Sequence, residues 1–355
     1  MGNSWGKKIN LSIFGESHGE AIGIVIDGLP AGLHLDMEKI QKEMERRKPG
    51  KDDIETARKE DDKVKILSGF FEGKTTGSPL CAIIENKNAI SKDYNRNIIR
   101  PGHSDFTGFV KYNGFNDYRG GGHFSGRVTA SLVFAGTIAK QILNEHGIVI
   151  GSHIKKIENI CDNAFDKVNI TKEELVKIAE KDFPAIDEIA GNNMKNLIIR
   201  VKENQDSVGG EIECAILGIK PGIGEPFFDS IESKISGMMF SVPAVKGIEF
   251  GAGFKFSDMC GSHAHDEFYI EDDKICTYTN NNGGINGGIS NGMPIIFNVV
   301  IKPTPSIGKE QKTVDIEKKE NTIVSIEGRH DPCIVKRAVP VIEAAASLAI
   351  LDFII

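Results

Sequence analysis

Two stretches of this chain are apolar on nearly every side of a helix, and they limit its possible folds more than any other feature. Residues 128–136 read Val128-Thr129-Ala130-Ser131-Leu132-Val133-Phe134-Ala135-Gly136, and residues 344–351 read Ala344-Ala345-Ala346-Ser347-Leu348-Ala349-Ile350-Leu351. A helix without a polar face must be covered on more than one side. No apolar run reaches the ~20 residues of a membrane span. The cover therefore has to come from the chain itself, as layers on either side of the helices.

An internal repeat supplies two such layers. Ser17-His18-Gly19, an apolar strand over residues 21–26 and a Gly28…Gly32 turn recur as Ser207-Val208-Gly209, a strand over 212–217 and a Gly218…Gly222 turn. Ser207 lies 190 residues after Ser17. A helical stretch follows each, over 37–47 and roughly 229–240. Gly77-Ser78-Pro79 then introduces a strand at 80–84, and Gly292-Met293-Pro294 introduces one at 295–301, 215 residues later. Each half ends in an arginine loop and a long apolar helix, 127–143 and 337–353, offset by 210. This order predicts an α+β fold: one domain over 1–355, a β-α-β sandwich whose pseudo-twofold halves run roughly over 1–150 and 195–355. Helices pack between two antiparallel sheets.

Of the 355 residues, 40% are hydrophobic and 26% charged, and the net charge is −7. That balance excludes general nucleic-acid binding, which rests on a basic surface. The N-terminal residues lack the apolar stretch of a signal peptide. The six cysteines contain no Cys-x-x-Cys pair, so reduced thiols in a cytoplasm are expected rather than disulfides or a zinc site. His263-Ala264-His265-Asp266 lacks a sensibly spaced third ligand and reads as a solvated loop, so no metal is expected. The polar 258–273 stretch and the Asn280…Gly288 run read as a flexible cover.

Three loops set a histidine among glycine, proline and arginine: Gly15-Glu16-Ser17-His18-Gly19, Arg100-Pro101-Gly102-His103-Ser104-Asp105 and Arg329-His330-Asp331-Pro332. Histidine moves protons near neutrality, arginine grips carboxylate or phosphate, and glycine lets the backbone approach a ligand. Arg119-Gly120-Gly121-Gly122-His123-Phe124-Ser125-Gly126-Arg127 leads into the first buried helix, where freed N–H groups favour an anion. It is neither a Walker loop nor a Rossmann fingerprint. Lys302-Pro303-Thr304-Pro305-Ser306 ends a strand with a cation and two hydroxyls, which suits an anionic cofactor tail. A plain proline-rich exit loop fits it nearly as well.

The chain resembles the chorismate synthase family over essentially its whole length. The resemblance is carried by the three histidine segments, Asp27-Gly28-Leu29-Pro30-Ala31-Gly32 and Arg46-Arg47 with Pro49-Gly50. It continues through Gly73-Lys74-Thr75-Thr76-Gly77, Asp117…Gly122, Ala244-Val245-Lys246-Gly247, Gly283…Ser290 and Lys302-Pro303-Thr304. It implies a lyase that converts 5-enolpyruvylshikimate 3-phosphate to chorismate by 1,4-anti elimination, with reduced FMN and no net redox change. It also implies a homotetramer.

By that resemblance Arg46, Arg47, Arg100, Arg127 and Arg329 are expected on the substrate's anionic groups. His18 is expected to protonate the departing phosphate and His103 to keep the flavin suitably protonated. Asp331 is expected to relay a proton with Ser17 and Ser125. His123, Phe124, Ser125, Pro243, Ala244, Gly287, Gly288, residues 302–306 (Lys302, Pro303, Thr304, Pro305, Ser306) and Arg329 are expected around FMN. Here His123-Phe124-Ser125-Gly126-Arg127-Val128 replaces the Arg-Ser-Ser-Ala-Arg-Glu common in relatives, so His123 is read as the substitute donor. Two other classes fit parts of the pattern: a flavin oxidoreductase using NADPH, and a non-catalytic anion-binding scaffold. No dinucleotide fingerprint supports the former, and the latter leaves the histidines without a task. The compact length favours an external flavin reductase or other source of reduced flavin, and self-reduction with NADPH stays open.

Overall fold

Among the described residues the two largest sheets have five strands each and are antiparallel throughout. In the first the spatial order is Ser4–Trp5, Asn10–Gly15, Ala21–Asp27, Leu80–Glu85, Val64–Ser68. In the second it is Val245–Phe250, Ile295–Ile301, Gly210–Leu217, Val149–Ile157, Ile160–Cys161. The structure is a computed structural model describing residues 2–50, 54–55, 60–87, 94–326 and 331–355. Among these, no helix is long and apolar enough to cross a membrane.

The central pairs correspond: Ala21–Asp27 lies against Leu80–Glu85 as Gly210–Leu217 lies against Ile295–Ile301. The turns behind them match atom for atom. Thr75 Oγ1 donates to the Pro30 carbonyl at 2.5 Å and accepts from the Leu33 amide at 3.0 Å. Ser290 Oγ donates to the Lys220 carbonyl at 2.6 Å and accepts from the Ile223 amide at 3.0 Å.

Among the described residues, eight helices accompany the sheets: α1 (Met37–Arg47), α2 (Asp105–Lys111), α3 (Thr129–Glu145), α4 (Lys172–Ala179), α5 (Glu188–Glu203), α6 (Ile231–Ser241), α7 (Gly261–Ala264) and α8 (Val335–Ile354). The two apolar segments form α3 and α8, which pack on each other between the sheets. Helix α3 touches Ala21–Asp27 on one side, and α8 touches Val149–Ile157 and Gly210–Leu217 on the other. The crossing is close enough to need glycine. A methyl group on Gly136 would lie 2.3 Å from Ala344 Cβ. The sequence placed the start of α3 at Arg127; a short 3₁₀ turn, Gly126–Val128, precedes it instead, because Ser125 caps the Arg127 amide.

One buried ion cluster joins α1, α3 and α8. Glu343 accepts from Arg46 at 2.7 and 3.0 Å, from Lys140 at 2.6 Å and from the Ser152 amide at 3.1 Å. Glu43 accepts from Arg46 and Lys140 as well. Burial works against ionisation of Glu343, but Arg46 and Lys140 outweigh it and hold its carboxyl down at about 2. Arg46 thus serves the interior, and its expected grip on a substrate anion is corrected. Adjacent helical residues point about 100° apart, so the Arg46-Arg47 pair was never one surface.

Strand alternation turns the neighbour of Ser152 the other way. His153 is fully buried on the outer face of the second sheet, its ring edge against Phe165 at 4.5 Å between centroids. Its Nδ1 meets Asp162 at 3.1 Å and its Nε2 meets Glu213 at 3.0 Å.

The polar cover has a built interior that its glycine count concealed. A hairpin, Phe268–Glu271 with Lys274–Thr277, stands on it. Asp266 accepts from Thr279 Oγ1 and from the Asn281 and Asn282 amides, and Asn280 is buried with its side chain on the Lys167 and Pro294 carbonyls. Two side chains supply the restraint that the glycines cannot.

Candidate active site

The three glycines before α3 form the floor on which the site is built. Gly120, Gly121 and Gly122 have φ of +60°, +104° and +54°, conformations that side-chain-bearing residues rarely adopt. The bare backbone also makes room. A methyl group on Gly120 would lie 2.0 Å from His18 Cε1, and one on Gly121 would lie 3.2 Å from His103 Nε2 and 3.7 Å from Ser125 Cβ. His18 and His103 therefore converge from separate loops on the turn that also carries Ser125.

Ser17 is fully buried beneath it, with its amide donating to the Gly122 carbonyl at 3.1 Å. Its hydroxyl reaches the Arg119 carbonyl at 3.4 Å and His18 Nδ1 at 3.1 Å. That contact engages Nδ1 of the ring. Tyr94 stands edge-on to the His18 ring at 5.2 Å, and the Arg100 guanidinium lies over Tyr94 at 5.4 Å. Behind Arg100, Asp105 accepts from its Nε and Nη2, each at 2.7 Å, and meets His103 Nδ1 at 2.6 Å. A cavity of about 320 Å³ opens beside this group, lined by Tyr94, Arg96, Arg100, Asp105, Phe109 and Tyr118, among others.

The other predicted side chains have more varied places. Arg47 and Arg127 share buried Asp62, Arg47 at 2.8 Å and Arg127 through a shorter contact. Burial opposes the Asp62 charge, yet the two guanidinium groups hold its carboxyl down at about 2. Complete burial lowers Arg47 itself to about 10, against the pull of Asp62. Its Nε is buried with no hydrogen-bond partner among the described residues. His123 Nδ1 is spent on the Gly15 carbonyl at 2.8 Å, and Phe124 packs on α2 beside Tyr112. Gly287 and Gly288 turn at the head of α6, where Ile231 donates to the Gly288 carbonyl and Gly288 lies against Glu225 and Ser230. Pro243 and Ala244 lie just before the Val245–Phe250 strand. Ala244 sits at φ +74° and its carbonyl accepts the Lys302 amide at 2.9 Å. Arg329 and His330 lie outside the described residues.

The second half closes the site. Lys302 Nζ donates to the Gly102 carbonyl, and Pro305 lies close to Gly102. Thr304 Oγ1 donates to the Asp331 carbonyl at 2.6 Å, and the Ser207 hydroxyl donates to the Thr304 carbonyl. The Asp331 carboxylate takes Arg337 Nη1 at 2.5 Å, while Arg337 Nε donates to the Arg47 carbonyl at 3.2 Å. Burial and the neighbouring charge of Lys246 lower the Lys302 pKa. Neither lysine is in an ion pair among the described residues, so together they form an anion-seeking point. Further contacts stitch the two loops together: Ile98 bridges Asp315, and Thr313 Oγ1 donates to the Ile99 carbonyl. Sequence reasoning passed over Tyr94, Asp62 and Asp105. Only Asp105 carried a signal, standing two residues from His103.

Two histidines over one glycine floor, a carboxylate held by arginine and two lysines in no ion pair among the described residues make a group suited to acid–base chemistry on an anion. The comparisons with known proteins fit that class. The chorismate synthase family profile matches residues 9–355. A chorismate synthase of Dehalococcoides mccartyi is 47% identical over 354 residues, covering 99% of this chain and 96% of its own. One of Methanocaldococcus jannaschii is 46% identical over 365 residues, with 99% and 96% covered. A crystal structure of a chorismate synthase superposes with a TM-score of 0.76 at 29% identity, over 98% of this chain and 92% of that one. The chain belongs to the chorismate synthase family, a family of lyases.

Proposed function

We propose that the protein converts 5-enolpyruvylshikimate 3-phosphate to chorismate and phosphate, with reduced FMN bound and no net redox change. The observation that carries this reading is the convergence of His18 and His103 on the bare backbone of Gly120 and Gly121. A substrate with one phosphate and two carboxylates needs proton donors and cations together, and acid–base groups must lie within hydrogen-bond reach of the reacting atoms.

The residues fit an anionic flavin. Lys302 and Lys246 offer charge without a carboxylate partner, and the aromatic edge of Tyr94 beside His18 offers a surface for a ring. Lys302, Thr304, Ala244 and Ser125 would hold the group, with His123 Nε2 available beside them. Reduced FMN, when bound, supplies transient electron donation that eases departure of the phosphate.

The protein's own part is positional. His18 Nε2 gives its proton to an oxygen of the departing phosphate, with Ser17 fixing Nδ1. Asp331, steadied by Arg337, accepts a proton and hands it on through Ser17 and Ser125. Arg47, whose buried Nε has no hydrogen-bond partner among the described residues, and Arg100 receive the substrate's anionic groups, and Asp62 keeps Arg127 and Arg47 in register. A homotetramer and an external source of reduced flavin complete the reading. The exposed apolar residues Phe268, Ile270 and Ile275 on the hairpin support assembly with further copies.

The test is anaerobic turnover of the enolpyruvyl substrate with chemically reduced FMN, following phosphate and chorismate together. One-to-one release with the flavin still reduced at the end is expected. His18→Ala and Asp331→Ala should lose about 100-fold or more in kcat while still binding FMN. No product from the wild type would end this reading.

A further inference from the structure

We propose that Asp105 is a positioning residue that fixes the tautomer of His103, keeping a proton on Nδ1 and turning Nε2 alone toward the glycine floor. The proposal rests on the reading of His103 as an acid–base group and adds the side chain that makes it one.

The argument is geometric. His103 Nδ1 has two neighbours, Asp105 Oδ1 at 2.6 Å and Arg100 Nη2 at 3.2 Å. An ionised carboxylate only accepts and a guanidinium only donates. Were Nδ1 bare, a ring nitrogen and a carboxylate oxygen would stand 2.6 Å apart with no hydrogen between them, which is untenable. Nδ1 therefore carries hydrogen and donates to Asp105, and the Arg100 contact is packing. Asp105 is well placed to enforce this. Its Oδ2 accepts from the Arg100 amide at 3.0 Å and Nε at 2.7 Å, and its Oδ1 accepts from Arg100 Nη2 at 2.7 Å. Burial opposes its charge, but the hydrogen bonds from Arg100 and His103 hold its carboxyl well below the usual range.

The remaining nitrogen is kept clear. Nε2 faces Gly121, where a methyl group would lie 3.2 Å away, so any side chain there would crowd it. Around the ring stand Arg100 and Asp105 from its own loop, Ser125 from the glycine turn, and Lys302, which reaches the Gly102 carbonyl from the second half. Asp105 is the carboxylate in this set. Carboxylates that orient a catalytic histidine through its far nitrogen work in this way on unrelated folds.

Asp105→Asn makes the tautomer swap. Two Arg100 donors occupy the Oδ2 position, so the amide oxygen settles there and the amide NH₂ faces His103. Nδ1 must then accept, and the proton moves to Nε2. The experiment is ¹⁵N magic-angle-spinning spectroscopy of histidine-labelled full-length protein, with the His103 signal assigned by its loss in His103→Gln. The wild type is expected as the Nδ1–H tautomer and Asp105→Asn as Nε2–H. With the enolpyruvyl substrate and reduced FMN, Asp105→Asn should lose about 100-fold or more in kcat with KM little changed. Asp105→Glu, which keeps an acceptor, should retain the Nδ1–H signal and recover much of the rate.

An Nε2–H signal in the wild type overturns the proposal without recourse to any variant. So does an unchanged Nδ1–H signal in Asp105→Asn, even if activity falls, since that pattern marks a purely structural role. Absence of turnover in the wild type would sink the functional reading instead, and the tautomer measurement would still decide this one.

Discussion

Thr75 and Ser290 occupy matching points in the two halves and make the same two hydrogen bonds, yet the connections that follow them have little in common. After Leu80–Glu85 the first half runs through Tyr94, the Arg100 to Asp105 loop and the glycine floor before entering α3. After Ile295–Ile301 the second half runs through Lys302, Thr304, a hairpin (Gln311–Asp315 with Glu320–Val324) and Asp331 before entering α8. These equivalent connections meet face to face, through Lys302 on Gly102 and Asp315 beside Ile98. The first brings imidazoles; the second brings amines and a carboxylate. Connections that follow matching strand pairs thus face each other with different side chains, and together they bring groups that neither carries alone.

The most damaging way to break this comparison is to fill the floor on one side. Gly120→Ala places a methyl group inside the His18 ring and in a backbone region hostile to it. Displacing a positioned acid by an ångström costs about 100-fold, so turnover should fall at least that far while thermal unfolding moves little. Wild-type turnover in this variant would show that His18 does not act from where it lies.

A smaller effect is expected at His153, which has no counterpart ion trio on the first sheet among the described residues. Burial opposes its charge, but hydrogen bonds to Asp162 and Glu213 prevail and raise its pKa above the usual 6.5. A raised histidine contributes its full stability below the unfolded pKa and loses it as pH rises through the folded one. His153→Gln should therefore cost about 3 kcal/mol at about pH 6 and less at about pH 9. Urea midpoints of both proteins at the two pH values decide it, and a constant gap would remove the imidazolium from the account.

The smallest change sharpens the symmetry itself. Thr75→Val and Ser290→Ala each strip one buried hydroxyl from one carbonyl and one amide, at about 1–3 kcal/mol apiece. Equal losses in urea unfolding would make the clamps energetic equivalents as well as geometric ones. A twofold disparity would show that one half carries the fold.

The chain's order of elements was legible because it rests on periodicity and on glycines at forced turns, such as Gly28 and Gly218. The helices α3 and α8 were legible because an apolar surface admits one environment. Of the three histidine loops singled out in the sequence, the structure brings two together, at His18 and His103. Partner choice among charges was not. Arg46 and Arg47 look alike in sequence, but one meets Glu343, 297 residues on, and the other Asp62, 15 residues on. The clue was Glu343, an acid in an alanine-rich buried helix, which demands a cation. Asp62 gave none, since a lone aspartate in a charged stretch resembles surface. His153 looked ordinary because its carboxylates arrive from other elements.

Asp352 holds one more consequence. Its carboxylate accepts from the amides of Lys7, Lys8 and Ile9 and from Lys234. The opening of the first sheet is thus secured by a residue the ribosome adds more than three hundred positions later. Contacts of such span demand costly loop closure before they give any return. The first sheet receives α3 early, but it must wait for this anchor, with the far side of α3 uncovered, until α8 has been made. During synthesis that waiting sheet is the stretch of this chain most in need of a chaperone.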